Sequence, residues 1–177
     1  MLELATLGLL QKEPLHGYRL KQQMELFMSG CISVNYGAIY PLLKRLEDKH
    51  LIQVFTEEEN NNPRKIYSIT SEGKEKWYEK MLEHPHESWI NSRSRFMIKY
   101  FFFSYLEVQE RLKLLEHRFM TCKLYLEKKE LDFEFVYSDP YQLEAWERYK
   151  WAIIDEINWL KIQKVNLTKT LSVIGNF

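Results

Sequence analysis

Between Leu143 and Ile174, apolar side chains return every three or four residues. The row is Leu143, Trp146, Ile153, Ile157, Leu160, Leu167, Leu171 and Ile174, with Lys150 and Lys164 filling two of its places. That spacing predicts one face of a continuous helix. Asp139 is a good N-cap and Pro140 a good first helical residue, so the start is marked as well. At 1.5 Å per residue such a helix is about 50 Å long. A rod of that length cannot bury its stripe inside a domain this small. A partner helix, most simply from a second copy, is the economical solution. We therefore expect a homodimer with Leu143, Trp146, Ile153, Ile157, Leu160, Leu167 and Leu171 in its seam. Lys150 and Lys164 would lower the stability of that seam and fix its register.

Composition bounds the rest. The 177 residues suffice for one large domain or two small ones, and 45% hydrophobic content supports a core without disulfides. Cys31 and Cys122 lie in apolar surroundings and read as reduced thiols of a cytoplasmic protein. The start, Met1-Leu2-Glu3-Leu4, has no basic region followed by an apolar run. No apolar stretch reaches the roughly 18–20 residues needed to span a bilayer, so no membrane partner is expected. The 25 basic and 25 acidic residues cancel. Bulk charge therefore cannot hold nucleic acid, and any such function must rest on local patches.

Along the chain, Leu4, Leu7 and Leu10 predict a helix over 2–12, ended by Pro14. Gly17 opens a second helix to about Ser29. Asn35 and Gly37 lead into a third that runs to about His50. Pro41 either lies in the first turn of that helix, where it has no bond to lose, or kinks it. The apolar run 51–56 and the alternating run 64–70 predict two strands, with Glu57–Glu59, Asn60–Asn62 and Pro63 as a polar turn. Thr70 is an N-cap for a fourth helix carrying Trp77 and Met81. Three helices, a hairpin and a linking helix make the order of a winged helix-turn-helix. Residues 82–88 break the pattern, which places a boundary between a DNA-binding domain, 1–83, and a helical dimerisation domain, 84–177. The second begins with a helix over about 89–105. A further helix has Val108, Leu112, Leu115, Phe119, Cys122 and Leu126 on one face. The fold class expected is mostly α.

On a helical wheel the third helix of the first domain has two distinct sides. Ile39, Leu42, Leu43 and Leu46 form an aliphatic side that docks on a core. Tyr36, Gly37, Tyr40, Pro41 and Lys44 form the other, with Arg45 flanking. Small residues allow close approach, phenols donate to phosphates and Lys44 supplies charge. That is the surface expected of a helix inserted into a DNA major groove.

Several blocks then align in order. They are Pro14-Leu15-His16-Gly17-Tyr18-Arg19-Leu20, Gly37-Ala38-Ile39-Tyr40-Pro41-Leu42-Leu43-Lys44-Arg45-Leu46-Glu47 and Arg64-Lys65-Ile66-Tyr67-Ser68-Ile69-Thr70-Ser71-Glu72-Gly73. Together they resemble the PadR family of bacterial transcription regulators across residues 4–77. The C-terminal half resembles, more loosely, the helical dimerisation domain of one subgroup of that family. The resemblance implies a homodimer on a two-fold symmetric operator, usually a repressor, with release by a phenolic or other aromatic effector in some members. The reader helices of the two protomers should then stand about 34 Å apart, one duplex turn. The resemblance also implies a DNA surface of Tyr18, Asn35, Tyr36, Gly37, Ala38, Tyr40, Lys44, Arg64 and Lys65. His16 and Gly17 are read as structural. Two features depart from the family pattern: Asn60–Asn62 and Pro63 stand where the wing has glycine, and Glu57–Glu59 bring acid to it.

An anionic aromatic effector wants a ring and a cation, and Trp89, Arg93, Arg95 and Tyr100 supply both. The other tryptophans, Trp77, Trp146, Trp151 and Trp159, read as packing. His84-Pro85-His86 lacks further ligands at metal-site spacing and reads as linker. No nucleophile elbow, zinc-helix motif or phosphate-binding glycine loop occurs, so neither an enzyme nor a cofactor is expected. The competing reading is a winged helix that uses the same face to bind protein.

Overall fold

Helix and core geometry follow from where the large aliphatic side chains fall. The computed structural model describes residues 1–28, 30–32, 36–59, 62–133 and 139–174; the side chains of residues 36, 58, 59, 62, 63, 131–133 and 170–174 lie outside the described set. Leu4 and Leu7 on α1 (Leu2–Leu9), Leu20 and Met24 on α2 (Gly17–Met28), and Ile39, Leu43 and Leu46 on α3 (Tyr36–Asp48) meet in one core. α1 is shorter than its periodicity predicts. Beyond Leu9 the amides of Gln11 and Lys12 turn back to the carbonyls of Gly8 and Leu9, which tightens the chain ahead of Pro14. α3 runs unbroken through Pro41, which lies in its second turn, so Gly37 receives no bond from residue 41. Its C-terminus closes with His50 in the left-handed region (φ 58°). The His50 and Leu51 amides bond back to Glu47 and Leu46, the pairing of a Schellman cap.

The wing follows. β2 (Ile52–Glu59) pairs antiparallel with β3 (Asn62–Ile69), and β3 also pairs with a two-residue strand, β1 (Leu15–His16). Among the described residues the sheet order is β1-β3-β2. The strands extend further than expected: Glu57–Glu59, Asn62 and Pro63 belong to the ladder, not the turn. Asn60 and Asn61 lie outside the described residues. Thr70 caps α4 (Ser71–Leu82), accepting from the Gly73 amide at 3.0 Å and donating to the His50 carbonyl at 2.7 Å. Gly73 is needed here because a Cβ would lie 2.0 Å from the Leu51 carbonyl oxygen. α4 thus abuts the start of the wing.

The chain divides into two compact units, Met1–Ser104 and Tyr105–Phe177. Residues 83–88 are non-helical, as expected of a connection. The next helix, α5 (Trp89–Phe101), nevertheless packs with the first unit, so the expected division after residue 83 is displaced by about twenty residues. The reason is aromatic packing. The Phe102 ring sits so close to Gly8 that a Cβ there would lie 2.5 Å away, and it meets Trp77 edge-on at 6.1 Å. Lys99, 3% exposed, donates to the Glu83 carbonyl at 2.5 Å.

The second unit is built on α6 (Val108–Phe133) and α7 (Pro140–Ile174), which run antiparallel. Asp139 caps α7 as expected, its Oδ1 accepting from the Tyr141 and Gln142 amides at 3.0 and 3.1 Å. The seam expectation needs correction. Ile153, Ile157 and Leu160 are buried in the same unit as Leu114, Leu115 and Cys122, so α6 of the same chain supplies the partner helix. Trp146 and Leu167 are half-buried, Leu143 is exposed, and the Leu171 side chain lies outside the described residues. The two seam lysines have partners within the chain: Lys150 pairs with Glu130 at 2.8 Å and Lys164 with Glu116. They set the register of α6 against α7. Both cysteines are free thiols, Cys122 buried and Cys31 half-buried.

Candidate nucleic-acid interface

Because Ile39, Leu42, Leu43 and Leu46 are locked into the core, α3 must present its other side outward. Gly37, Tyr40, Pro41 and Lys44 are exposed there, and Ala38 is half-buried. Asn35 and the Tyr36 side chain lie outside the described residues. Beside α3, the first turn of α2 brings Tyr18, 59% exposed, and β3 brings Arg64 and Lys65. These residues converge. One open cleft of about 770 Å³ is lined by Tyr18, Tyr40, Lys44, Arg64 and Lys65. Five of the nine predicted residues, from three elements, thus share one concave surface.

The cleft also contains residues that sequence reasoning did not assign to it. His16, Gly17, Arg19, Gln22, Glu47 and Tyr67 complete its lining. Arg19 donates to Gln22 at 3.0 Å, which steadies both on the exposed side of α2. Tyr67 is nearly buried at the cleft floor, and desolvation pushes its phenol pKa up. Gly17 has the structural role expected of it. A Cβ at Gly17 would lie 3.0 Å from the Tyr40 ring and 3.4 Å from Leu43. Its absence lets Tyr40 lie across the start of α2. The signal for Arg19 was present in the sequence, since it follows Tyr18 in the same helical turn. Tyr67 and His16 reach the site through the β1–β3 pairing, which short segments do not announce.

Charge around the cleft is balanced locally. Lys44 Nζ lies 2.8 Å from Asp48 Oδ1 and 3.6 Å from Glu47 Oε2. The hydrogen bond that Lys44 donates to Asp48 raises the Lys44 pKa, with the charges of Asp48 and Glu47 adding to it. On the wing, the register sets Glu57 opposite Arg64 and Thr56 opposite Lys65. Side chains opposite one another in antiparallel strands share a face. Of the acid run, Glu57 is therefore the residue that shares a face with the wing cation Arg64.

The effector expectation does not assemble as drawn. Helical spacing puts Trp89, Arg93 and Tyr100 on one side of α5 and Arg95 on another. The Arg95 guanidinium is taken up by Glu87 at 2.8 Å and Glu83 at 3.2 Å. Tyr100 packs against Phe103 at 4.8 Å, and burial pushes its phenol pKa up. Among the described residues, no group of three or more His, Cys, Asp or Glu is arranged to hold a metal ion. No described helix is long and apolar enough to cross a membrane.

Comparison with known proteins is consistent with this geometry. Residues 6–79 match the model of the transcriptional regulator PadR-like family. The negative transcriptional regulator PadR of Bacillus subtilis is 30% identical over 118 residues, covering 66% of this chain and 64% of that protein. The chain thus spans less than two thirds of the relative's length. Among solved structures, Bacillus subtilis PadR in complex with operator DNA is 24% identical, with a TM-score of 0.48, over 94% of this chain and 98% of that one. The smu.1604c protein of Streptococcus mutans is 20% identical, with a TM-score of 0.46, over 96% and 98%. Residues 6–79, which hold α2, α3 and the wing, thus match the PadR-like family of transcriptional regulators.

Proposed function

We propose that this chain is a DNA-binding transcriptional regulator, a repressor that grips a two-fold symmetric operator as a homodimer. The observation that carries the reading is the convergence of Tyr18, Tyr40, Lys44, Arg64 and Lys65 on one open cleft, beside a helix whose opposite side is locked into the core. In this reading the first unit carries the DNA surface and the second the pairing of protomers. Tyr18, Tyr40, Arg64 and Lys65 suit phosphate oxygens, which fix position. The leading end of α3, Tyr36 through Ala38, enters the major groove, and Asn35, which precedes it in sequence, is assigned to the same contact. This is a binding function with no catalytic step, exercised in the cytoplasm. The family match supports regulation, and the negative regulation ascribed to the Bacillus subtilis relative supports repression.

Pairing has a candidate surface. Trp151, Ile162 and Val165 lie on the side of α7 opposite Ile153, Ile157 and Leu160, and are 61%, 57% and 52% exposed. Met120 and Leu124 are likewise exposed on α6, opposite its buried face. Two protomers joined there would double the phosphate contacts, which offsets a net charge of zero. A small aromatic acid is the proposed effector class. p-Coumaric acid is the first compound to test, because Bacillus subtilis PadR has been crystallised with it.

The test is a gel shift with duplex DNA from upstream of the protein's own gene, at increasing salt. Retention that weakens steeply with salt, and weakens again in Arg64→Ala, is the expected result. The acids beside Lys44 and opposite Arg64 favour a second reading, a winged helix that docks on protein. Equal retention of operator and unrelated duplex, or none of either, would transfer the assignment to it.

A further inference from the structure

Two carboxylates stand where a DNA-facing helix has least use for them. Asp48 is the last residue of α3 and Glu47 the one before it. The helix dipole favours cations at that end. Lys44 followed by Asp48 is also the weaker orientation for an i,i+4 pair, and exposed pairs contribute little to stability in any case. Helix stability therefore does not account for them, and near phosphates they repel.

The pairing does change which acceptor Lys44 can use. An ammonium flanked at 2.8 and 3.6 Å by two carboxylates projects little net positive field, so a phosphate gains little from it. It still has N–H donors, and a neutral acceptor on a base edge can take one. The tether also limits the sweep of a flexible four-carbon chain. Lys44 lines the cleft and its side chain is 67% exposed, so the tethered head remains within reach of a groove.

We propose that Asp48, assisted by Glu47, is a positioning residue that makes Lys44 a reader of a guanine O6/N7 edge in the major groove instead of a phosphate clamp. This rests on the DNA-binding reading given above. It gives the neutral protein a way to discriminate: sequence-independent attraction is held down, and a directional hydrogen bond is kept.

The test begins with a randomised duplex library from which the full-length protein selects its consensus. Affinities of wild type, Lys44→Ala, Asp48→Asn and Asp48→Glu are then measured on the selected duplex and on a scrambled one. Lys44→Ala should lose about five- to a hundredfold on the selected duplex, stay within about twofold on the scrambled one, and relax preference at one guanine. Asp48→Asn should bind the scrambled duplex about three- to tenfold more tightly, with a salt slope steeper by about one. The selected-to-scrambled ratio should fall, and Asp48→Glu should restore it. Thermal melting of each variant checks the fold, and Asp48→Asn should melt no lower than wild type. Equal losses on both duplexes in Lys44→Ala, or an unchanged ratio in Asp48→Asn, would overturn the inference and leave the regulator reading standing. A library from which nothing is enriched would overturn both.

Discussion

Arg118 Nε donates to Glu156 Oε1 at 2.8 Å across the α6–α7 seam, and the two residues are 2% and 7% exposed. Leu115, Cys122, Ile153 and Leu160 are buried in the same seam, so these two charges sit in its apolar part. Glu156→Gln should cost about 3–5 kcal/mol, because it removes a negative charge that faces a buried guanidinium. Urea unfolding followed by circular dichroism measures this. Replacing both partners with Met and Leu should recover most of the loss; a double variant as unstable as the single one would contradict this account.

Gly73→Ala should destabilise the first unit by about 2 kcal/mol or more. The added Cβ meets the Leu51 carbonyl, which is backbone and cannot rotate away. A melting temperature equal to wild type would mean that α4 and the wing move apart freely.

His50→Gly should act in the opposite direction. His50 holds a left-handed conformation at the end of α3, and glycine adopts it without the Cβ penalty. A gain of about 1 kcal/mol is expected in chemical denaturation.

Lys99 gives a pH dependence. Burial, reinforced by Arg95, lowers its pKa from 10.5 to about 8. Between those values the unfolded chain holds a proton that the folded chain has released, so stability rises with pH across that window. Below about pH 8 the cost of the buried ammonium is fully present. Comparing wild type with Lys99→Met from pH 7 to 10 isolates this group. Wild type should gain stability relative to the variant as pH rises, and parallel curves would refute the assignment.

Ile162→Glu, on the exposed side of α7, should shift the protein from dimer to monomer in analytical ultracentrifugation while leaving helix content unchanged. Loss of helix content instead would show that Ile162 packs within its own chain.

Much of this architecture is written in local rules. The two sides of α3 follow from Ile39, Leu42, Leu43 and Leu46, and the starts of α4 and α7 from Thr70 and Asp139, because periodicity and capping act within a few residues. What escapes such rules depends on distant parts of the chain. The two residues of β1 have no periodicity to read and exist through their pairing with β3. The stripe on α7 announces a partner helix but does not say which, and α6 supplied it. The break at residues 82–88 marks a turn, while the allegiance of α5 was decided by Phe102 lying on Gly8. The cleft divides similarly. Tyr18, Tyr40, Lys44, Arg64 and Lys65 could be named in advance, whereas Tyr67 joined them through sheet register and Glu47 through its place beside Lys44.

Because α6 already shelters Ile153, Ile157 and Leu160, a protomer of the proposed dimer could leave its twin without unravelling. Folding and association then become separate equilibria, each with its own concentration dependence. Operator occupancy in such a system responds to how much of the protein the cell makes, since halving the supply removes more than half of the paired species once protomers begin to part.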